Sequence, residues 1–317
     1  MASSYDIIII GGGPAGLSAA SAIVRQDHRT LLLDSGDYRN AESKHMHTVP
    51  TWDHQDPKTF RDAARKNLER YGTVDYQQVE VRTAKKLDDL FEVSGGGKSW
   101  TGKKLILATG VEDIFPDIPG YKECWVQGIF HCLYCHGWEE KGAPSAGVLA
   151  TEETGAVLPA LHFARQALRM TSHVVLYTNG NTSLASSLTT ALAHSPAPMH
   201  ADARKILKLE KAPDRASVTL HFADDTIATE AFLVHKPKFR LKGDLAAQLG
   251  LEMTSPQGTC IKVFPPFNQT SVKGVFAAGD CAGNIQTVTA AMHSGTCTGG
   301  GAPLQVQAEL YGQRANF

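Results

Sequence analysis

The chain has 317 residues, with 31 Lys and Arg against 32 Asp and Glu, a formal net charge of −1, 42% hydrophobic and 20% charged residues. That length implies about two domains with real cores, and the balanced, scattered charge excludes a nucleic-acid or anionic-membrane binder. Six cysteines in so long a chain exclude a disulfide scaffold.

Met1-Ala2-Ser3-Ser4 leads into only four isoleucines, so neither a signal segment nor a membrane span is expected. A reducing, cytoplasmic compartment is the expectation, and a Cys pair there is catalytic rather than structural. Residues 5–10 are a β-branched run, which predicts a strand buried on both faces of a parallel sheet. Gly11-Gly12-Gly13-Pro14-Ala15-Gly16 follows, then a helical face of Leu17, Ala20 and Val24, then Leu31-Leu32-Leu33-Asp34. Strand, Gly-x-Gly-x-x-Gly, helix, strand and acid make a dinucleotide site. The glycines permit a tight turn and close approach of a pyrophosphate, the helix N-terminus receives its charge, and Asp34 takes ribose hydroxyls.

Residues 35–57 form a polar loop whose His45, His47, Trp52 and His54 either line a flavin or substrate cavity or belong to a solvated or structurally bonded loop. No metal site is expected there, because no carboxylate stands in a ligand-like spacing. A helix is predicted over 58–71, and strands near 74–82, 90–94 and 98–101. Lys104-Leu105-Ile106-Leu107-Ala108-Thr109-Gly110 reads as another buried strand, and Pro116 and Pro119-Gly120 mark a domain crossover.

His131-Cys132-Leu133-Tyr134-Cys135-His136-Gly137-Trp138-Glu139 then brings two cysteines three apart between two histidines. Such a pair suits dithiol–disulfide exchange: one thiolate attacks and the second resolves the mixed disulfide. The step from Cys132 to Glu140 predicts a helix opening here, whose dipole would lower the thiol pKa. A zinc half-site lacks a second cysteine pair. The Cys-x-x-Cys-His haem-attachment spacing goes with export, for which no signal is seen.

A second dinucleotide fold begins at 143–149, with a helix near 155–169, a strand over 173–177, and strands and turns over 204–235. Lys236-Pro237-Lys238 marks a second crossover. Near the end, Gly274 to Asp280 predicts a short strand delivering Asp280 beside Gly279. Gln286, Thr287 and Val288 then lead into an Ala- and Gly-rich helix near 287–301, where Gly299-Gly300-Gly301 is poor in helix propensity and points to close backbone packing.

Gly11–Gly16, Asp34, Ala108-Thr109-Gly110, the cysteine pair, Gly279-Asp280 and Gln286 together resemble the small thioredoxin-reductase-like flavoproteins in order and spacing. The resemblance implies an α/β fold with two Rossmann-like, three-layer dinucleotide-binding domains, the second inserted in the first. Their expected limits are 1–114 and 239–317 for the FAD domain and 115–238 for the insert. It implies FAD held by Gly11, Gly13, Pro14, Ala15, Gly16, Asp34, Arg39, Asn40, His47, Ala108, Gly279, Asp280, Gln286, Thr287 and Val288. It also implies Cys135 beside the flavin, Cys132 toward substrate, and a homodimer.

The inserted domain departs from that pattern. Where a second glycine-rich turn is needed, the chain reads Ala150-Thr151-Glu152-Glu153-Thr154, with two carboxylates where a pyrophosphate would approach. At an effective dielectric of about 20, each close like-charge pair costs on the order of a few kcal/mol. No Lys or Arg occurs from 174 to 203, where the family keeps its 2′-phosphate cluster, and no Asp or Glu from 177 to 193. A lost nicotinamide site with an intact pair is similar to the dithiol oxidases of the gliotoxin and holomycin pathways, which share the Cys-x-x-Cys-His-Gly-aromatic-Glu pattern. The expected reaction oxidises a small-molecule dithiol through Cys132–Cys135 and FAD to O2, with His136 (or His131) as base. A disulfide reductase drawing on NADPH or another donor, and a non-catalytic flavoprotein, are the competing readings.

Overall fold

The computed structural model describes residues 4–213, 215–254 and 259–317. In chain order the first elements are β1 (Tyr5–Ile10), α1 (Pro14–Ile23), β2 (Thr30–Asp34), α2 (Pro57–Glu69), β3 (Val74–Gln78), β4 (Thr83–Lys86), β5 (Phe91–Gly95), β6 (Lys98–Leu107) and β7 (Val111–Ile114). Next come α3 (Tyr121–Cys124), β8 (Ile129–Phe130), β9 (Ala146–Leu149), α4 (Val157–Ala167), β10 (Val174–Tyr177), α5 (Thr182–Leu192), β11 (Met199–Asp202), β12 (Ile206–Lys211), β13 (Val218–Phe222), β14 (Ile227–Glu230), β15 (Leu233–Val234) and β16 (Lys238–Leu241). The last are α6 (Leu245–Gln248), β17 (Val275–Ala277) and α7 (Val288–Leu310).

The chain divides into two compact units, Met1–Glu112 with Phe239–Phe317, and Asp113–Lys238. The first crossing therefore falls within β7, two residues before the expected limit at 114. The extended chain of β7 continues unbroken through the crossing, and β7 pairs with β16 in a two-stranded sheet.

The first unit is built on a sheet of order β3-β2-β1-β6-β5-β4, with β17 also pairing β6. β3, β2, β1, β6 and β17 are parallel, and β5 and β4 continue the sheet antiparallel. β6 is one strand rather than the two expected. Its first half pairs β5 and its second half pairs β17, while β1 runs along its other edge. The isoleucines at 7, 8, 9 and 10 are all buried, and each contributes about 1.5–3 kcal/mol. Ile7 and Ile9 face the layer with Leu17, Ala20, Ile23 and Val306 of α1 and α7. Ile8 and Ile10 face the other core, with Leu105, Leu107, Leu245 and Val275.

The glycines of α7 allow the close packing expected of them. A Cβ at Gly295 would stand 2.1 Å from the carbonyl oxygen of Ala15, and one at Gly299 would stand 2.5 Å from that of Ala19. α7 runs nine residues past the expected end and continues through Pro303. The residue four before this proline is Gly299, so the carbonyl released from helical bonding belongs to the residue packed on α1.

The second unit pairs an all-parallel sheet, β11-β10-β9-β15-β8, with an antiparallel sheet, β12-β13-β14. One core lies between the two sheets around Tyr121, Tyr177, Leu209 and Leu220. The other lies between the parallel sheet and α4 and α5. Both units thus have the three-layer, Rossmann-like α/β architecture, the second inserted in the first. Among the described residues no helix is long and apolar enough to cross a membrane.

Candidate functional site

The turn after β1 is shaped by missing side chains. Gly11 has φ +116, and a Cβ there would stand 2.1 Å from the carbonyl oxygen of Ala108. A Cβ at Gly16 would stand 1.9 Å from the oxygen of Gly11. Gly13, by contrast, has no atom within 4 Å of a built Cβ, so the turn presents open backbone on that side. Pro14 occupies the first turn of α1, where a missing N–H costs nothing. The helix N-terminus has no side-chain cap and no acid in its first turn, so its free N–H groups and positive dipole end suit an anion. A Cβ at Gly12 would stand 2.1 Å from Oδ2 of Asp34, which places that buried carboxylate directly against the turn.

At the other end of the unit, Arg39 donates from Nη1 to Oδ2 of Asp280 at 3.0 Å and to Oε1 of Gln286 at 2.7 Å. Asp280 follows β17 in a single 3-10 turn, with Gly279 at φ +76. The Nε2 of Gln286 is buried without a hydrogen-bond partner. A buried orphan donor costs about 1–3 kcal/mol, so it fits a bound acceptor such as a flavin ring oxygen or nitrogen. Thr287 caps α7, its Oγ1 accepting the N–H of Ala290 at 3.2 Å, and Val288 opens the helix. Asn40 Oδ1 accepts from Arg61 at 3.1 Å. The open turn, the uncapped helix, the Arg39–Asp280–Gln286 group and the orphan amide fit a flavin dinucleotide.

The loop between β2 and α2 is closed by a bridge between Met46 and Gln55, and Met46, Val49 and Trp52 pack with Phe60, Val288 and Met292. His47 Nε2 lies 3.1 Å from His54 Nδ1, and the His45 and His54 rings stack with centroids 3.9 Å apart. Thr48, Thr51 and His54 all have positive φ without being glycine. Such backbone strain gathers at functional loops.

In the second unit Cys132 and Cys135 form a disulfide with Cα atoms 5.3 Å apart. The N–H groups of Cys135 and His136 both donate to the carbonyl of Cys132, at 3.1 and 3.0 Å, which makes a tight turn. The expected helix does not open there. Gly137 has φ +110, which no α-helix accepts, and only a three-residue 3-10 turn, Trp138–Glu140, follows. A helix dipole therefore does not act on these thiols. Leu133 is buried and anchors the turn, and a Cβ at Gly137 would stand 2.9 Å from its Cδ2. Tyr134 and Trp138 are exposed. The ring of His136 stacks on Phe130 and that of His131 on Trp125, with centroids 5.4 and 5.5 Å apart. Both imidazoles that flank the pair are thus oriented by an aromatic wall.

The turn after β9 is filled rather than open. Thr151 Oγ1 lies 3.1 Å from Nε2 of His235, and the buried Thr154 accepts the N–H of Lys236 at 3.2 Å. Glu152, at φ +50, accepts the N–H of Lys238 at 3.4 Å. His235 is fully buried, shares a 2.7 Å hydrogen bond with Tyr121, and is pushed down to about 4 by burial, so it is neutral at pH 7. After β10, Asn179 Oδ1 accepts from the N–H of Ile206 and Asn181 caps α5, so both amides serve the fold.

Sequence reasoning missed two features. Lys205 folds beside this second turn, with its Cδ 3.4 Å from a Cβ built on Gly180. Arg204 also returns here, although Asp202 holds its guanidinium in an ion pair at 2.5 Å. The residues around Asp34, namely Tyr38, Arg61, Arg65 and Tyr76, were not singled out either. Arg61 and Arg65 do stand one turn apart on α2, which a charge-spacing search would find.

Comparisons with known proteins agree with this architecture. The model of the family described as pyridine nucleotide-disulphide oxidoreductase matches residues 5–295. The chain is 46% identical over 316 residues to thioredoxin reductase tcpT of Claviceps purpurea (strain 20.1), spanning 98% of this chain and 97% of that one. It is 44% identical over 296 residues to thioredoxin reductase aclD of Aspergillus oryzae (strain ATCC 42149 / RIB 40), spanning 92% and 93%. The crystal structure of HlmI matches with a TM-score of 0.86 at 29% identity, over 98% of this chain and 94% of that chain. The chain belongs to the pyridine nucleotide-disulphide oxidoreductase family. The thioredoxin-reductase-like identity expected from its motifs holds, and it is an oxidoreductase of that kind.

Proposed function

We propose that this pyridine nucleotide-disulphide oxidoreductase is an FAD-dependent dithiol oxidase. It closes an intramolecular disulfide in a small-molecule dithiol of the epidithiodiketopiperazine kind, in a secondary-metabolite pathway, as a cytoplasmic homodimer. The overall balance is dithiol plus O2 to disulfide plus H2O2. The observation that carries the reading is the turn after β9. Thr151, Glu152 and Thr154 bond it to residues 235–238, and two carboxylates stand where a nicotinamide dinucleotide would need open backbone. With that donor site closed and the Cys132–Cys135 pair intact, electrons enter from a thiol substrate.

FAD is held by the open turn Gly11, Gly13, Pro14, Ala15 and Gly16, by Asp34, Arg39, Asn40, His47 and Ala108, and by Gly279, Asp280, Gln286, Thr287 and Val288. When bound, the flavin supplies two-electron acceptance from a dithiol and delivery of those electrons to O2. The protein's own steps concern sulfur and protons. A substrate thiolate attacks Sγ of Cys132, the Sγ–Sγ bond breaks, and Cys135 leaves as thiolate. The second substrate thiolate then attacks the mixed disulfide, releasing cyclic product and the reduced cysteine pair. Each attack needs a deprotonated thiol, and His136, held by Phe130 next to Cys135, accepts the proton.

Cys132→Ser is expected to abolish dithiol oxidation while the purified protein keeps its yellow flavin. His136→Ala is expected to lower kcat/KM by about 10²-fold and to change its pH profile near neutrality. Oxygen uptake, peroxide and disulfide should appear in equal amounts. A disulfide reductase using NADPH is the second reading, favoured by Lys205 beside Gly180. Steady NADPH consumption with a disulfide acceptor, in place of oxygen uptake with a dithiol, would establish it.

A further inference from the structure

Within the second unit the closed turn after β9 is linked to the cysteine pair through a chain of rings, His235, Tyr121, Trp125 and His131. Nε2 of the buried His235 lies 3.1 Å from Oγ1 and 3.3 Å from the carbonyl oxygen of Thr151. A carbonyl can only accept, so Nε2 carries the proton and Nδ1 is left as an acceptor. Burial raises the Tyr121 phenol above its ordinary range, so it keeps its proton and donates it to Nδ1 at 2.7 Å. The Tyr121 ring, 1% exposed, stacks on the indole of Trp125 with centroids 5.9 Å apart. The same indole stacks on the ring of His131, 5.5 Å away and inclined by 24°. His131 directly precedes Cys132 in the chain.

The backbone between the stacked residues holds them together. Val126 has φ +60, an outlier for a β-branched residue that persists only where its surroundings impose it. Its N–H bonds to the carbonyl of Ile129 at 3.0 Å, and the N–H of Gly128 bonds back to Cys124 at 2.8 Å. The turn is also pinned from outside. A Cβ at Gly128 would stand 2.4 Å from the carbonyl oxygen of Ala216, and one at Gly120, before α3, 1.9 Å from that of Leu209. The chain therefore doubles back and returns His131 to the indole.

We infer that Trp125 and Tyr121 are positioning residues for the sulfur chemistry, that the turn closed on His235 is their anchor, and that the imidazole of His131 is the group they aim. The inference rests on the dithiol-oxidase reading. In the closing step a bond forms between the two substrate sulfurs. The bond from the first of them to Sγ of Cys132 breaks, and its electron pair leaves with Cys132 as thiolate. His136 takes the proton of the first thiol, and His131 that of the second. The imidazolium so formed is the chain neighbour of the departing thiolate, whose charge it favours, and it lies against an indole, whose face attracts a cation.

The test is a double-mutant cycle on the full, flavin-loaded chain with two readouts. One is kcat/KM for a small dithiol. The other, after reduction of the pair, is the rate at which iodoacetamide alkylates Cys132 at fixed pH, followed by peptide mass. Trp125→Leu removes the aromatic face and is expected to lower both rates by about tenfold, the cost of a misaimed group, with flavin content unchanged. Trp125→Phe should restore most of that loss. Tyr121→Phe, which removes the oxygen bonded to His235, should lower the rates by about threefold. In a His131→Gln background neither variant should lower them further. Equal fold losses with and without His131 would show a structural role and overturn the inference, as would unchanged rates in Trp125→Leu. If Trp125→Leu does not fold, Tyr121→Phe, smaller by one oxygen, carries the same comparison. Failure of the unaltered protein to oxidise any dithiol would sink the oxidase reading, while the alkylation cycle would still decide whether Trp125 and Tyr121 act through His131.

Discussion

The two units place the same device, a turn between a buried parallel strand and a helix, to opposite ends. After β1 the turn is made of absences: Gly11 and Gly16 are so tightly packed that a Cβ would collide with backbone, and Gly13 faces open space. After β9 the same position holds Ala150, Thr151, Glu152, Glu153 and Thr154, and three of these side chains bond to residues 235–238. One turn leaves its backbone open and its helix N-terminus without a side-chain cap, and the other has spent its polar groups on the protein. A dinucleotide fold is therefore not in itself a dinucleotide site. The distinction lies in which side chains are missing.

That contrast can be broken first on the open side. Gly11→Ala puts a Cβ 2.1 Å from the Ala108 oxygen at φ +116. It is expected to cost roughly 3–5 kcal/mol, summing overpacking and left-handed strain, and to yield protein depleted of flavin. Flavin absorbance per protein and the thermal midpoint read this directly. Normal yellow protein would show that the turn tolerates a side chain and that the contrast has no force.

The closed side is probed by acid. Burial lowers the pKa of His235 from the ordinary 6.5 to about 4. An unfolded chain binds this proton below pH 6.5, while the folded chain refuses it down to about pH 4. Stability from the neutral imidazole is therefore complete above pH 6.5 and is lost as pH falls through that window. The loss reaches about 3 kcal/mol by about pH 4. His235→Gln cannot titrate and should flatten this part of the stability–pH curve. A curve of unchanged slope would remove His235 as the lock of the turn.

The smallest effect is expected from charge alone. Glu152→Gln with Glu153→Gln removes two exposed carboxylates, each worth about 1 kcal/mol or less after screening. NADPH affinity should rise by no more than about thirtyfold, and NADPH should still fail to reduce the flavin, because Thr151 and Thr154 keep the turn closed. Rapid flavin reduction by NADPH in this variant would show that repulsion, rather than filling, had disabled the site.

Much of the fold was legible because its signals are local. The β-branched run at 7–10, the glycine turn and the strand ending in Asp34 each declare themselves within a few residues. The gaps have physical causes. A helix at Cys132 was expected from the spacing to Glu140, and Gly137 forbids it through its φ. α5 went unforeseen because Thr182–Leu192 is rich in Ser and Thr, which compete with the backbone for hydrogen bonds. Here Asn181 settles the matter by capping the helix. The Tyr38–Arg65–Tyr76 arrangement around Asp34 joins positions up to 42 residues apart, beyond any local pattern. Lys205 escaped because it lies 25 residues from Gly180 in sequence, and a search of the stretch from 174 to 203 stops two residues short of it.

The central claim is that electrons enter from a thiol and not from a nicotinamide. Purified yellow protein should be mixed without oxygen, in one cuvette with NADPH and in another with a small dithiol, while flavin absorbance is followed. Bleaching by the dithiol alone, with colour and peroxide returning on admission of air, is the predicted result. Rapid bleaching by NADPH would contradict the account and make the protein a reductase.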